Sequence, residues 1–298
     1  MRARRACLLL LSLSLTAASG CSSLFGVKRT VTVTPLLGPL SDATTTQLIA
    51  EVNRMASVRS IRGKVDIEFQ DTSFAENGLA EKYRTADGTV IIQRPGQINL
   101  RIQAPFVGTN IAEMTSDGAQ FRVAVLQGDE RFRRFVRGTN NASYQKMAVE
   151  NGRTANGNDK KKNALNEKRT VSVLSNLRPQ HFTDALLIRP VQSRDESGYV
   201  YAQSEFYLEE DDTRPRAKKG SRVVRGYYVL DELAPGGAGG ARLMRRFWFD
   251  RVGGIRLARL QTFDIKGILL TDVLYGEPKN FGGDGRLQLP SRVELTRP

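Results

Sequence analysis

The run Ile61-Arg-Gly-Lys-Val-Asp-Ile-Glu-Phe69 limits the possible folds more than any other stretch. Its even positions are charged and its odd positions are apolar or Gly. Strict alternation is the mark of a strand with one face buried and the other in water. The rhythm returns in Ile98, Leu100 and Ile102 against Asn99, Arg101 and Gln103, and again in Phe121, Val123 and Val125. Further strands are predicted over 81–93, with Gly88 as a bulge or bend, and over 109–115 and 132–136. Turns fall at Arg94-Pro95-Gly96, at 104–108, at Ser116-Asp117-Gly118 and at 127–130. This is a six-strand antiparallel meander. No helical period interrupts it, which argues against a parallel α/β sheet. A second set of strands is predicted over 200–208, 223–230, 243–249, 255–263, 267–275 and 291–295. About a dozen short strands make a sheet that should curl.

Two helices accompany these strands. Leu48, Val52 and Met55 recur at helical spacing within 43–57, and Ser41 or Asp42 is placed to cap that helix. A second helix is predicted from Ser175 to Ile188, stopped by Pro190. Residues 22–40 read as a tether with Gly26, Pro35, Gly38 and Pro39. Residues 151–168 are polar and basic and read as a surface loop. Residues 209–220 are acidic and then basic, without the ligand spacing of a calcium loop. The glycine-rich run 235–240 lacks a following Lys-Ser/Thr and reads as a hairpin turn.

The first 21 residues carry Arg2, Arg4 and Arg5, then an apolar run from Leu8, then Ala18-Ser19-Gly20-Cys21. That is the layout of an export signal. Its apolar run is about half the length that a bilayer-spanning helix needs, about 20 residues. Ser19-Gly20-Cys21 resembles the lipobox of bacterial lipoproteins, which implies acylation of Cys21. Two or more chains there would make attachment to a membrane stable. Ser22 resembles the residues that direct such proteins to the outer membrane.

The formal charge is +14, and removing the signal with its three arginines leaves about +11 on 278 residues. For an exported, anchored chain this charge points to anionic lipid headgroups or envelope polymers, and no nucleic-acid partner is expected. The runs 131–137 and 245–249 interleave arginines with aromatics. On strands the aromatics would mostly face inward, and the arginines would form a solvated basic face. Only Cys7 and Cys21 are present, so the mature fold has no disulfide or thiolate metal site. His181 is the single histidine, which leaves no metal-ligand cluster around it. No Gly-x-Ser-x-Gly elbow occurs. The chain reads as a non-catalytic binder without a cofactor.

The order helix, meander, helical insertion, strands resembles the LolA/LolB superfamily of lipoprotein-localisation proteins. The matching residues are Gly63, Arg94-Pro95-Gly96, Ser116-Asp117-Gly118, Phe249-Asp250, Thr271-Asp272 and Leu289-Pro290-Ser291-Arg292-Val293. The resemblance implies a mainly β fold with a few α-helices: an unclosed, strongly curved antiparallel β-barrel of about 11–12 strands. The helices would cover its apolar concave face. It implies a signal at 1–20, a lipidated N-terminus and flexible tether at 21–41, and one domain over 42–298 with a basic insertion near 150–168.

The function implied is that of a LolB-like monomer, anchored through Cys21 on the periplasmic face of the outer membrane. It would bind acyl chains of membrane lipids or lipoproteins, with lipoproteins or a periplasmic carrier as partners. Pro105, Phe106, Val107 and Gly108 fall where that family carries a membrane-insertion loop. Candidate cavity-lining residues are Val65, Ile67, Phe69, Ile92, Leu100, Ile102, Phe121, Val123, Leu186, Phe247, Phe249 and Leu270. The alternative is a structural or assembly lipoprotein with a solid core and a basic partner-binding face.

Overall fold

The computed structural model describes residues 33–68, 70–71, 81–82, 85–104, 108–126, 133–140, 178–191, 198–236, 240–282 and 287–296. The chain falls into two compact units. One comprises Met1–Leu36 with Glu209–Val224, the other Leu37–Leu208 with Arg225–Pro298.

The first sheet follows from the alternating segments. β1 (Ser60–Ile67), β4 (Ala86–Gln93), β5 (Gln97–Gln103), β6 (Asn110–Asp117), β7 (Gln120–Val125) and β8 (Arg134–Thr139) pair in that order, all antiparallel. A two-stranded ribbon, β2 (Gln70–Asp71) with β3 (Glu81–Lys82), lies between β1 and β4 in sequence. The second sheet runs β14-β13-β12-β11-β10-β9, from β9 (Val200–Asp211) through β10 (Arg222–Pro235), β11 (Ala241–Asp250), β12 (Arg256–Phe263) and β13 (Leu269–Phe281) to β14 (Leu287–Thr296). The fold is thus mainly β. Its two six-stranded antiparallel sheets are not closed on each other, which is the arrangement of an open, curved barrel.

Gly88 is not at a bulge. The β1–β4 register runs unbroken from Ser60↔Gln93 to Ile67↔Ala86, with Gly88 opposite Val65. Its role is steric. A Cβ there would stand 2.9 Å from Ile67 Cδ1, 3.0 Å from the Arg101 carbonyl and 3.0 Å from Val65 Cγ2. The register shifts fall elsewhere, at Ile102/Gln103, Glu232/Leu233, Trp248/Phe249 and Thr262/Phe263.

Two helices complete the larger unit. α1 (Thr45–Ala56) buries Leu48, Val52, Met55 and Ala56. Thr44 caps it rather than Ser41 or Asp42. The Thr44 hydroxyl accepts from the Gln47 N–H, and the Gln47 amide oxygen accepts from the Thr44 N–H at 2.8 Å, a reciprocal capping box. Asp42 is engaged elsewhere, by the Arg251 guanidinium at 2.7 Å and the Tyr228 hydroxyl at 3.2 Å. α2 (Pro179–Leu186) starts on Pro179, where the missing N–H costs nothing. No helix among the described residues is long and apolar enough to cross a membrane.

Part of the stretch expected as a free tether is docked. In the larger unit Leu40 bridges Val252, the Ser41 N–H donates to the Arg251 carbonyl at 2.8 Å, and Arg251 Nε returns a bond to the Ser41 carbonyl. Arg251 is buried, stacks 4.2 Å over Tyr228, and also pairs with Glu205 at 2.9 Å. A buried cation needs such partners on every side.

Candidate functional site

The apolar faces of the two sheets build two clusters, and α2 contributes to both. On the first sheet Ile92, Leu100, Ile102, Met114, Phe121, Val123 and Val125 pack with Val58 and with Leu187 from the end of α2. Val65, Ile67, Phe182 and Leu186 are half-buried against them. On the second sheet Tyr228, Leu230, Phe247, Phe249, Leu257, Leu260, Val273 and Tyr275 pack with Leu48, Val52 and Met55 of α1 and with Ala185 and Ile188. Leu186 and Leu187 therefore serve the first sheet and Ala185 and Ile188 the second, and α2 approaches β5, β6 and β14.

Of the predicted lining residues, Ile92, Leu100, Ile102, Phe121 and Val123 meet in the first cluster, with Val65, Ile67 and Leu186 at its margin. Phe247 and Phe249 lie in the second. Leu270 does not join them. It is 48% exposed, because Thr271, Val273 and Tyr275 hold the inward phase of β13. Thr271 is tolerated inside since its hydroxyl meets that of Thr262 at 2.6 Å. Phe69, Cys21, Pro105, Phe106, Val107 and the basic insertion lie outside the described residues. Gly108 is described. It closes the 104–109 turn, with its N–H on the Ala104 carbonyl at 3.2 Å and a φ of +68° that suits glycine.

Several interior side chains are completely buried. Ile92, Leu48, Phe247 and Phe249 expose none of their surface. Burial of this kind contributes about 1.5–3 kcal/mol per large side chain. The polar contacts are concentrated where the chain leaves α2. The Tyr275 hydroxyl donates to the Ala185 carbonyl at 2.8 Å. Arg94 donates to the carbonyls of Ile188 at 2.6 Å, Ala56 at 3.0 Å and Val58 at 3.0 Å. Arg245 donates to the Arg189 and Pro190 carbonyls at 2.7 and 3.2 Å. Asn53 of α1 exchanges two bonds with the backbone of Val191. Residues 185–191 are thus clasped from both sheets and from α1.

Sequence reasoning missed this clasp. Arg94 read as part of a turn, and Arg245 and Arg246 as a solvated basic face. In the structure Arg245 is nearly buried and forms a short pair with Glu232, and Arg246 pairs with Asp231 at 2.6 Å. Phe135 is likewise outward, 67% exposed, since Val136 faces Val123 across the strands. The only available signal was an arginine placed directly before an X-Pro turn between two apolar strands.

Electrostatics follow the burial. Burial lowers the Arg94 guanidinium, with nearby Asp184 opposing that shift. Burial raises the Asp184 carboxyl, held back by Arg189, Arg245 and Arg94. The Tyr201 hydroxyl is pushed up to about 12 by burial and by the charge of Glu232. Burial also raises Tyr275. No group of three or more potential metal ligands occurs among the described residues.

The fold and site define an open antiparallel β-protein whose apolar interior is covered by two short helices. Neither a protein-family model nor a curated protein matches the sequence. Solved structures similar to it include a LolA superfamily protein from Nitrosomonas europaea, 14% identical over 86% of both chains with a TM-score of 0.36. A DUF1329 family protein from Desulfovibrio piger is 12% identical over 86% of this chain and 88% of that one, with a TM-score of 0.40. An outer membrane lipoprotein-sorting protein domain from Vibrio parahaemolyticus is 12% identical over 84% of both, with a TM-score of 0.36.

Proposed function

We propose that the chain is a lipid-anchored protein of the outer membrane, attached through Cys21 on its periplasmic face. It takes acyl chains of lipoproteins or lipids into its apolar interior when the helices part. One observation carries this reading. The segment that closes the interior is held mainly by side-chain bonds to its backbone at 185–191, while its apolar residues divide between two sheets. Such a cover can leave as a unit, and the surface it uncovers on each side is aliphatic and aromatic. No catalytic step is assigned. Lipoproteins or a periplasmic carrier would be its partners.

The test is mass spectrometry of the protein purified without detergent exchange, together with titration of a fluorescent fatty acid. Co-purified acyl ligand and saturable uptake are expected. Their absence across preparations overturns the carrier reading. Metabolic palmitate labelling, lost in Cys21→Ser, tests the anchor separately. The second reading is an anchored scaffold with a permanently filled core. The complete burial of Ile92, Phe247 and Phe249 favours it, and a ligand-free, non-binding protein would establish it.

A further inference from the structure

The smaller unit joins residues 34–36 to the β9–β10 hairpin. The Thr34 hydroxyl donates to Glu209 at 3.3 Å, the Val224 N–H donates to the Pro35 carbonyl at 2.8 Å, and Leu36 bridges Val224. The hairpin's carboxylates are largely consumed within it. Arg222 reaches Asp211 at 2.9 Å and Glu209 at 3.5 Å, and Arg214 grips both oxygens of Asp212 at 2.8 and 2.6 Å. The turn itself is built by backbone bonds, Ala217 N–H to the Arg214 carbonyl and Ser221 N–H to the Lys218 carbonyl, and by Gly220 at φ +79°. Arg216, Lys218 and Lys219 are exposed and have no carboxylate at ion-pair distance among the described residues. Arg216 and Lys218 line an open concavity of about 660 Å³.

We propose that this hairpin tip is a docking surface for the anionic phospholipid headgroups of a bilayer. The inference rests on the reading that Cys21 is the lipid anchor. Eleven residues lie between Cys21 and Val33, so the twelve steps of chain span at most about 40 Å even fully extended. Residues 34–36 are bound to this hairpin, so the anchor holds the basic tip within reach of the headgroups. A cluster of unneutralised cations so placed gains from the negative surface potential. The surface reads charge and phosphate, not lipid identity.

The test uses the full chain with vesicles of phosphatidylcholine alone or mixed with phosphatidylglycerol. Isotope-coded acetylation reads each lysine. With phosphatidylglycerol, labelling of Lys218 and Lys219 should fall by about fivefold or more and recover at high salt. Lys266 in the β12–β13 turn should not change. The charge reversal Arg216→Glu/Lys218→Glu/Lys219→Glu, with an unchanged circular dichroism spectrum, should abolish the lipid dependence of binding at low salt. Equal labelling on both vesicle types overturns the proposal. An equal fall at Lys266 also overturns it, since the whole basic surface would then be responsible. Protection by inorganic phosphate without vesicles overturns it as well, in favour of a small-anion pocket. Intact mass at Cys21 reads the anchor independently. An unlipidated chain that still protects its lysines topples the anchor alone, and a lipidated chain that does not topples the docking surface alone.

Discussion

Arg94 ties the backbone of both helices' ends together. Its guanidinium satisfies carbonyls from the end of α1, from the link between α1 and β1 and from the exit of α2. Arg94→Leu keeps the apolar stem and leaves three acceptors without that donor. Loss of about 2–4 kcal/mol is expected in urea unfolding, and an apolar dye should bind more strongly to the folded variant. Unchanged dye binding would mean that the helices do not part there. Tyr275→Phe removes one donor from the Ala185 carbonyl and should cost about 1–2 kcal/mol. Asp184 works in the opposite direction. Its carboxyl is raised by burial, so the folded state prefers it protonated. That contribution is full below the ordinary aspartate pKa and is lost as pH rises through the folded value. The side chain is 42% exposed and pairs with Arg189 at 3.5 Å, so screening keeps this contribution small, and Asp184→Asn should differ little from the parent at neutral pH. The roles of Arg94 and Tyr275 were not legible in the sequence, because each of their partners lies 36 or more residues away.

Elements were far more legible than residues. The alternation of Ile61, Gly63, Val65 and Ile67 in β1 matches the burial of that strand position by position. The helical spacing of Leu48, Val52 and Met55 likewise names the buried face of α1. These patterns survive because burial acts locally on every second or every third to fourth side chain. The pattern fails where apolar residues occupy both phases. In Leu269-Leu270 nothing local says which leucine faces inward, and the phase is set by Val273 and Tyr275 further along. The N-terminal stretch failed for a different reason. Its docking depends on Arg251 and Glu205, more than 150 residues away, while its own prolines and glycines read as linker. Two substitutions test the elements. Thr44→Ala removes the capping hydroxyl and should cost about 0.5–2 kcal/mol. Gly88→Val forces a Cβ against the Arg101 carbonyl, which cannot rotate away, so a loss of about 1–3 kcal/mol or more is expected. Full stability in Gly88→Val would mean that β4 and β5 separate more easily than their register implies.

For the whole molecule, charge and buried phenols set opposite limits on the pH range of stability. The chain carries 45 basic and 31 acidic side chains, so the formal charge climbs from +14 toward +45 as the acids protonate. Self-repulsion then opposes the compact state. The carboxylates of Glu205, Asp212 and Asp117 are held low, chiefly by hydrogen bonds from Tyr207, Arg214 and the Gln120 N–H respectively. What they contribute is present above the ordinary carboxylate range and is lost as pH falls through their folded values. Glu205 and Asp117, being exposed, act weakly and are screened by salt. The alkaline limit has a different origin. Tyr201, Tyr228 and Tyr275 are all raised by burial, Tyr201 to about 12. Each folded phenol keeps its proton where an unfolded one has begun to lose it. Their joint contribution is full below about pH 10 and declines as pH rises through the folded values. Denaturation midpoints should therefore form a plateau with an acid limb that depends on salt and an alkaline limb that does not. In Tyr201→Phe/Tyr275→Phe the plateau should drop, yet the alkaline limb should flatten because two of the titrating groups are gone. An alkaline slope identical to that of the parent would show that these hydroxyls are not the groups whose burial opposes ionisation.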